Sequence, residues 1–114
     1  MNNPRAFYIA GVKFHKLSTV INELEVGQVL DLIPEPENKF DPNAVAIKYN
    51  DIMLGYVPRT ISAEISALLE IEELFCVIDK LTPSAKPWEQ CKVTIMDWAS
   101  YNEKRDYGTI EDIH

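Results

Sequence analysis

The chain has 114 residues, of which 46% are hydrophobic, and its formal net charge is −7. This length suits one compact domain with a small core, and no apolar run is long enough to form a transmembrane helix. The N-terminus lacks the apolar core of a secretory signal, so a cytoplasmic protein is expected.

The negative charge is concentrated in the second half of the chain. Residues 1–60 contain six basic and seven acidic residues, whereas residues 61–114 contain five and eleven. An acidic chain is repelled by phosphate backbones at long range, which argues against general nucleic-acid affinity. A small site in the nearly neutral first half is still compatible with this distribution.

The first third of the chain predicts two strands separated by a short helix. Phe7–Phe14 is rich in aromatic and β-branched residues and predicts a strand, in which Gly11 indicates a bulge or a close backbone approach. Residues 18–25 have helical spacing, with Ser18 as the expected N-cap and Gly27 as the stop. Residues 29–33 predict the second strand.

The remainder of the chain predicts a hairpin, a helix and two further strands. The pair Asn50-Asp51 suits a two-residue hairpin turn because both residue types tolerate positive φ. Apolar spacing predicts a helix from Thr60 to about Leu69. The hairpin strands are predicted over residues 44–49 and 52–57, and the two further strands over residues 74–81 and 91–98. Six short strands with one intervening helix indicate a small, mostly antiparallel barrel or curved sheet. This domain is expected to cover residues 1–98, and residues 99–114 are expected to form a polar acidic tail.

The two cysteines, Cys76 and Cys91, each lie in an apolar run that resembles a strand. Small free cysteines are commonly buried, so both are expected in the core. With only His15 and His114 as further soft ligands, they do not make a zinc site, and no metal or other cofactor is expected.

A proline-rich loop between the second and third predicted strands is the most informative segment. It contains three prolines, two asparagines and an aspartate, which together favour a stiff, turn-forming connection. Phe40 is its one aromatic residue. Phe40 either plugs the end of the core or presents a flat ring to a ligand, and hydrophobicity alone favours the plug, because burying a Phe is worth about 1.5–3 kcal/mol.

Three motifs in this order closely resemble the HIRAN domain family. They are Gly11-Val12-Lys13-Phe14-His15, then Glu35-Pro36-Glu37-Asn38-Lys39-Phe40-Asp41-Pro42-Asn43-Ala44-Val45, then Leu54-Gly55-Tyr56-Val57-Pro58. The resemblance extends from about Phe7 to Leu69, and more loosely to Trp98. HIRAN domains occur in certain Swi/Snf-type DNA-dependent ATPases that remodel stalled forks, and as small standalone bacterial proteins. The resemblance implies a mostly β fold, an OB-like six-stranded antiparallel barrel with one or two short helices.

The resemblance also implies a non-catalytic module that captures the 3′ end of single-stranded DNA. In this chain the matching DNA-binding positions are Lys13, Phe14, Asn38, Phe40, Asp41, Tyr56 and Arg59. Asp41 would accept a hydrogen bond from the terminal 3′-hydroxyl, and the two phenylalanines would stack on the last bases. A helicase or ATPase partner protein and a role in DNA repair or fork processing would follow, without a membrane association.

The residues themselves leave other interpretations open. Asn38, Asp41 and Asn43 could simply cap the turn. Phe14 could belong to the core, and Arg59 could be a solvated residue at a helix start. The module could also be a protein–protein adaptor that uses the same groove, since acidic surfaces often contact basic partners. An enzyme is disfavoured, because the sequence contains no glycine-rich phosphate loop, no metal-ligand cluster and no nucleophile–base pattern.

Overall fold

The structure is a computed structural model that describes residues 5–12 and 15–103. Its six strands are β1 (Arg5–Tyr8), β2 (Val29–Pro34), β3 (Val45–Tyr49), β4 (Ile52–Tyr56), β5 (Leu74–Leu81) and β6 (Cys91–Asp97). The described residues include the α-helices α1 (Leu17–Val20) and α2 (Arg59–Leu68), together with short 3₁₀ turns at Ile21–Glu23 and Pro87–Glu89. Residues 98–103 are also helical.

The six strands form one antiparallel sheet in the order β1-β6-β5-β2-β3-β4. The sheet curls into a half-barrel, which confirms the predicted mostly β, OB-like architecture. Its inner face packs a continuous apolar core, whose largest fully buried members are Ile9, Leu17, Leu30, Ile47, Leu54, Ile65, Ile78 and Ile95. Successive side chains of a strand point to opposite faces of the sheet, so Cys76 and Ile78 on β5 join this core while Phe75 and Val77 point to the other face.

The two ends of the sheet are joined by the segment that follows β1. The Ile9 amide donates to the Cys91 carbonyl at 3.0 Å, so the chain is still beside β6 at that point. One residue later, Ala10 exchanges two backbone hydrogen bonds of 2.9 and 2.8 Å with Tyr56 at the end of β4. Gly11 then turns the chain with a φ of +64°, a conformation that favours glycine.

The predicted first strand, Phe7–Phe14, therefore begins two residues too late and extends past the end of β1. β1 ends at Tyr8 because the chain leaves β6 and crosses to β4, and the predicted strand residues Lys13 and Phe14 lie outside the described part of the chain. Ser18 does not cap α1, contrary to the prediction: Lys16 occupies the N-cap position, and the Ser18 hydroxyl donates to Gln90 Oε1 at 3.2 Å. The Asn50-Asp51 hairpin is confirmed, with Asn50 at a φ of +54°.

Both cysteines are free and buried, as predicted. Burial is the main cause of a raised pKa for both thiols, and the negative charge of Asp79 adds to this effect. The pKa of Cys91 is raised to about 12. Neither thiol is therefore a nucleophile near neutral pH.

The outer face of the sheet carries a separate aromatic cluster. Phe75 on β5 contacts Trp98 and Tyr101, with ring centroids 4.3 and 5.5 Å apart. Tyr101 lies in the predicted tail, and its ring contacts join the helical turn at residues 98–103 to this face of the sheet. The remaining tail residues, 104–114, lie outside the described residues.

Gly55 is the position where the closure of the sheet is most sensitive to substitution. A Cβ at Gly55 would overlap the Ala10 carbonyl oxygen and lie 2.6 Å from Ile9 Cγ2. We expect Gly55→Ala to lower the free energy of unfolding by about 3 kcal/mol, because backbone atoms must move to admit the methyl group. Urea unfolding measures this value.

Gly27→Ala is the matched control. Gly27 has a φ of +91° but open space around its Cα, so this variant should lose only about 1 kcal/mol through backbone strain. If Gly55→Ala lost no more stability than Gly27→Ala, the close approach of the two chain segments would be refuted.

Candidate functional site

The loop between β2 and β3 is closed by hydrogen bonds within itself. The Glu35 amide donates to the Ala44 carbonyl at 2.9 Å, which joins the two ends of the loop. Inside it, the Asn38 amide donates to the Glu35 carbonyl and the Ala44 amide donates to the Asp41 carbonyl, each at 3.0 Å. Proline has no amide hydrogen to satisfy. The loop therefore holds a defined shape without support from a ligand.

Asn38 organises the central part of this loop through its side chain. Its Oδ1 accepts hydrogen bonds from the backbone amides of Phe40 and Asp41, at 2.9 and 3.1 Å. Its Nδ2 donates to Glu35 Oε1 at 2.9 Å. These contacts support the turn-capping interpretation of Asn38, because the side chain is engaged by the loop itself.

Asp41 lies between the loop and the start of α2. Its Oδ1 accepts a hydrogen bond from the Asn43 backbone amide at 2.9 Å, which is a capping contact. Its Oδ2 is 3.4 Å from the Ser62 hydroxyl, a long contact for a carboxylate. Because each carboxylate oxygen has two lone pairs, Asp41 retains acceptor capacity beside its structural role.

Phe40 is 87% exposed. The interpretation that Phe40 plugs the core, which hydrophobicity alone favours, is therefore wrong. The Asn38 contacts fix the backbone at Phe40 and Asp41 so that the ring projects outward. An exposed ring on a stiff loop costs little entropy when it contacts a ligand.

Tyr56 connects the end of β4 to the loop. Its hydroxyl donates to Glu35 Oε1 at 2.8 Å. Burial is the largest cause that raises the pKa of Tyr56 above its usual value of 10.0. The hydrogen bond to Glu35 and the charge of that carboxylate raise the pKa further, and a side-chain hydrogen bond with Asn38 lowers it. The phenol therefore keeps its proton throughout the neutral range.

These residues surround one cleft with a volume of about 720 Å³. The loop contributes Asn38, Phe40, Asp41 and Ala44, the end of β4 and the start of α2 contribute Tyr56, Val57 and Arg59, and the closing segment contributes Ala10, Gly11 and His15. The rings of His15 and Tyr56 meet edge to face, with centroids 5.5 Å apart. The cleft thus combines an exposed aromatic ring, hydrogen-bond acceptors and a cation.

Arg59 is exposed in the first turn of α2. A basic residue at a helix N-terminus opposes the helix dipole, so helix stability does not explain its position. Arg59 and Asp41 both line the cleft, so Arg59 brings a positive charge to the same site.

The structure brings five of the seven predicted site residues to one cleft, namely Asn38, Phe40, Asp41, Tyr56 and Arg59. The other two, Lys13 and Phe14, lie outside the described residues. Glu35, which accepts a hydrogen bond from Tyr56, and His15, which lines the cleft, are not among the predicted site residues. Glu35 is contained in the quoted loop motif, but a contact to Tyr56 across 21 residues has no local signature.

Within residues 5–12 and 15–103, no group of three or more His, Cys, Asp or Glu residues could hold a metal ion. None of the helices described is long and apolar enough to cross a membrane.

A model of the HIRAN domain family matches residues 6–96, and the chain belongs to this family. Two crystal structures have a similar fold. One is of a protein from Lactobacillus plantarum, 19% identical, covering 82% of this chain and 95% of that one with a TM-score of 0.69. The other is of the HIRAN domain of human HLTF, 10% identical, covering 90% of this chain and 82% of that one with a TM-score of 0.61. No curated protein sequence matches the chain significantly.

The organising role of Asn38 predicts a local loss of order on substitution. We expect Asn38→Ala to lower the free energy of unfolding by about 1–2 kcal/mol, because two backbone amides lose their acceptor. The amides of Phe40 and Asp41 should also exchange faster with solvent, as measured by hydrogen exchange.

Asn43→Ala serves as the control for this prediction. Asn43 contributes its backbone amide to the turn, and alanine keeps that amide. Equal effects of the two substitutions on stability and exchange would contradict the central role of Asn38.

Proposed function

We propose that this protein is a non-catalytic module that binds the 3′ end of single-stranded DNA in the cleft beside residues 35–44. The observation that carries the proposal is the exposed Phe40 ring next to an Asp41 oxygen with spare acceptor capacity. Family membership supports it, because the sequence resemblance implies the same ligand.

Phe40 provides the stacking surface in this proposal. A base stacked on an aromatic ring gains about 1–3 kcal/mol, and the gain depends little on base identity. The backbone at Phe40 is fixed by Asn38 before a ligand arrives, so little of this energy is lost in ordering the loop.

Asp41 provides the selection for a free end. A carboxylate accepts a hydrogen bond from a terminal hydroxyl, whereas an internal phosphodiester or a terminal phosphate brings a second negative charge next to it. An end with a free hydroxyl is therefore favoured both by the new hydrogen bond and by the absence of repulsion.

Positive charge at the cleft is limited. Arg59 supplies one cation there, and the sequence resemblance assigns Lys13 to the same site. Against a net charge of −7, so few cations would give modest, salt-dependent affinity and few phosphate contacts. This fits capture of a strand's last nucleotides better than binding along a duplex.

Family membership also supports a place in DNA repair or fork processing, together with a helicase or ATPase that acts on the captured end. Tyr56 and Asn38 would shape the pocket for the last sugar, and Phe14 would add a second stacking surface. The cytoplasmic location expected from the sequence is consistent with such a task.

A second candidate is an adaptor that docks a protein segment in the same cleft. The observation that favours it is the surplus of eleven acidic over five basic residues after residue 60, which would attract a basic partner. A partner's apolar side chain could rest on Phe40 as a base would.

The end-binding proposal is tested by fluorescence anisotropy with 5′-labelled oligonucleotides of the same sequence. One carries a 3′-hydroxyl and the other a 3′-phosphate. We expect the hydroxyl form to bind at least about tenfold more tightly at low salt, because the phosphate meets the Asp41 carboxylate.

Asp41→Asn is the matched variant, since it removes the charge and keeps the shape. It should bring the two affinities to within about threefold of each other. Equal binding of both oligonucleotides by the unmodified protein would defeat end recognition, and no binding to either would favour the adaptor.

A further inference from the structure

Glu35 occupies a position that neither the stacking nor the end-selection argument uses. It is half-buried where β2 passes into the loop, and one oxygen, Oε1, accepts two hydrogen bonds. The Tyr56 hydroxyl donates to it at 2.8 Å and the Asn38 Nδ2 at 2.9 Å. Glu35 therefore connects β4, the loop and the cleft wall through a single atom.

The contact with Tyr56 determines what the phenol can offer to a ligand. A tyrosine hydroxyl has one hydrogen, and in this structure it is directed at Glu35. Tyr56 lines the cleft, and its oxygen can then only accept a further hydrogen bond. A terminal hydroxyl can donate to such an oxygen, but a phosphate, which has only acceptor oxygens when fully ionised, cannot.

The contact with Asn38 determines the orientation of the side-chain amide. With Nδ2 donating to the carboxylate, Oδ1 faces the backbone amides of Phe40 and Asp41. If the amide were rotated by half a turn, its oxygen would face the Glu35 carboxylate and its NH₂ would face two N–H donors. Glu35 thus helps to fix the loop conformation that presents Phe40 and Asp41.

We propose that Glu35 is a positioning residue of the cleft, and that by accepting the Tyr56 and Asn38 donors it makes this wall select a hydroxyl-terminated strand over a phosphate-terminated one. The selectivity part of this inference rests on the proposed function. Glu35 acts through its neighbours and does not itself contact the ligand.

Positioning must be separated from simple charge repulsion, because Glu35 is also negative. Glu35→Gln keeps an acceptor oxygen of the same shape and removes the charge. Glu35→Ala removes both the charge and the acceptor, which releases the Tyr56 hydroxyl to donate toward a phosphate. Glu37→Ala is the matched control, since it removes an exposed negative charge from the same loop.

The first measurement needs no ligand. In Glu35→Ala, amide exchange at Phe40 and Asp41 should accelerate at least about tenfold because the Asn38 amide is no longer oriented. The pKa of Tyr56, followed by carbon-13 NMR of its labelled ring, should fall toward its usual value of 10.0. Glu35→Gln and Glu37→Ala should keep the exchange rates of the unmodified protein.

The second measurement is the ratio of affinities for the 3′-hydroxyl and 3′-phosphate oligonucleotides. Glu35→Ala should reduce this ratio at least about fivefold, whereas Glu35→Gln and Glu37→Ala should leave it within about twofold. If Glu35→Gln reduced the ratio as much as Glu35→Ala, charge alone would act and the positioning role in selectivity would be refuted. An unchanged ratio in Glu35→Ala would overturn the selectivity.

The two measurements distinguish this inference from the proposed function. If the unmodified protein binds neither oligonucleotide, end binding and its selectivity fail together, and the exchange and pKa readouts still decide whether Glu35 positions its neighbours. The opposite outcome is that the unmodified protein discriminates the two ends while Glu35→Ala keeps its amide exchange rates and its Tyr56 pKa. In that case the proposed function stands and the positioning role is refuted.

Discussion

The pair of backbone hydrogen bonds between Ala10 and Tyr56 is the constraint on which the site depends. It joins the chain after β1 to the end of β4, and so brings together segments that lie at opposite ends of the sheet order. The cleft is lined from both sides of this junction and from the adjacent loop. Gly55 makes the junction possible because a side chain there would overlap the approaching backbone.

The second level of organisation is the loop of residues 35–44, which satisfies many of its own polar groups. Asn38 serves as acceptor for two amides, and Glu35 serves as acceptor for Asn38 and Tyr56. Asp41 combines a capping contact with spare acceptor capacity. Structural and functional interpretations of these residues are therefore compatible, since the contacts that hold the loop also aim Phe40 and Asp41 at the cleft.

The sequence predicts most of this fold, because strand alternation and turn residues are local signals. The hairpin at Asn50 and the limits of β5 follow directly from them. The crossing at Ile9 and Ala10 does not, since it depends on β4, which lies some 45 residues further along the chain. Hydrophobicity likewise favours a buried Phe40, yet the internal hydrogen bonds of the loop fix its backbone with the ring in solvent.

Motif resemblance predicts most residues of the candidate site, whereas the hydrogen bonds within it are seen only in the structure. Asn38, Asp41 and Tyr56 are predicted from their positions in the motifs, and Arg59 from its position directly after the last motif. The sharing of one Glu35 oxygen by two donors has no signature in the chain, because its partners are three and 21 residues away. Such contacts arise only from the closed tertiary arrangement.

The most direct test of the account is an amide NMR titration of the labelled protein with a short single-stranded oligonucleotide bearing a free 3′-hydroxyl. We expect the largest chemical-shift changes at the loop residues Phe40 and Asp41 and at Tyr56 and Arg59. Shift changes centred instead on the outer-face rings of Phe75 and Trp98, with the cleft unaffected, would contradict it.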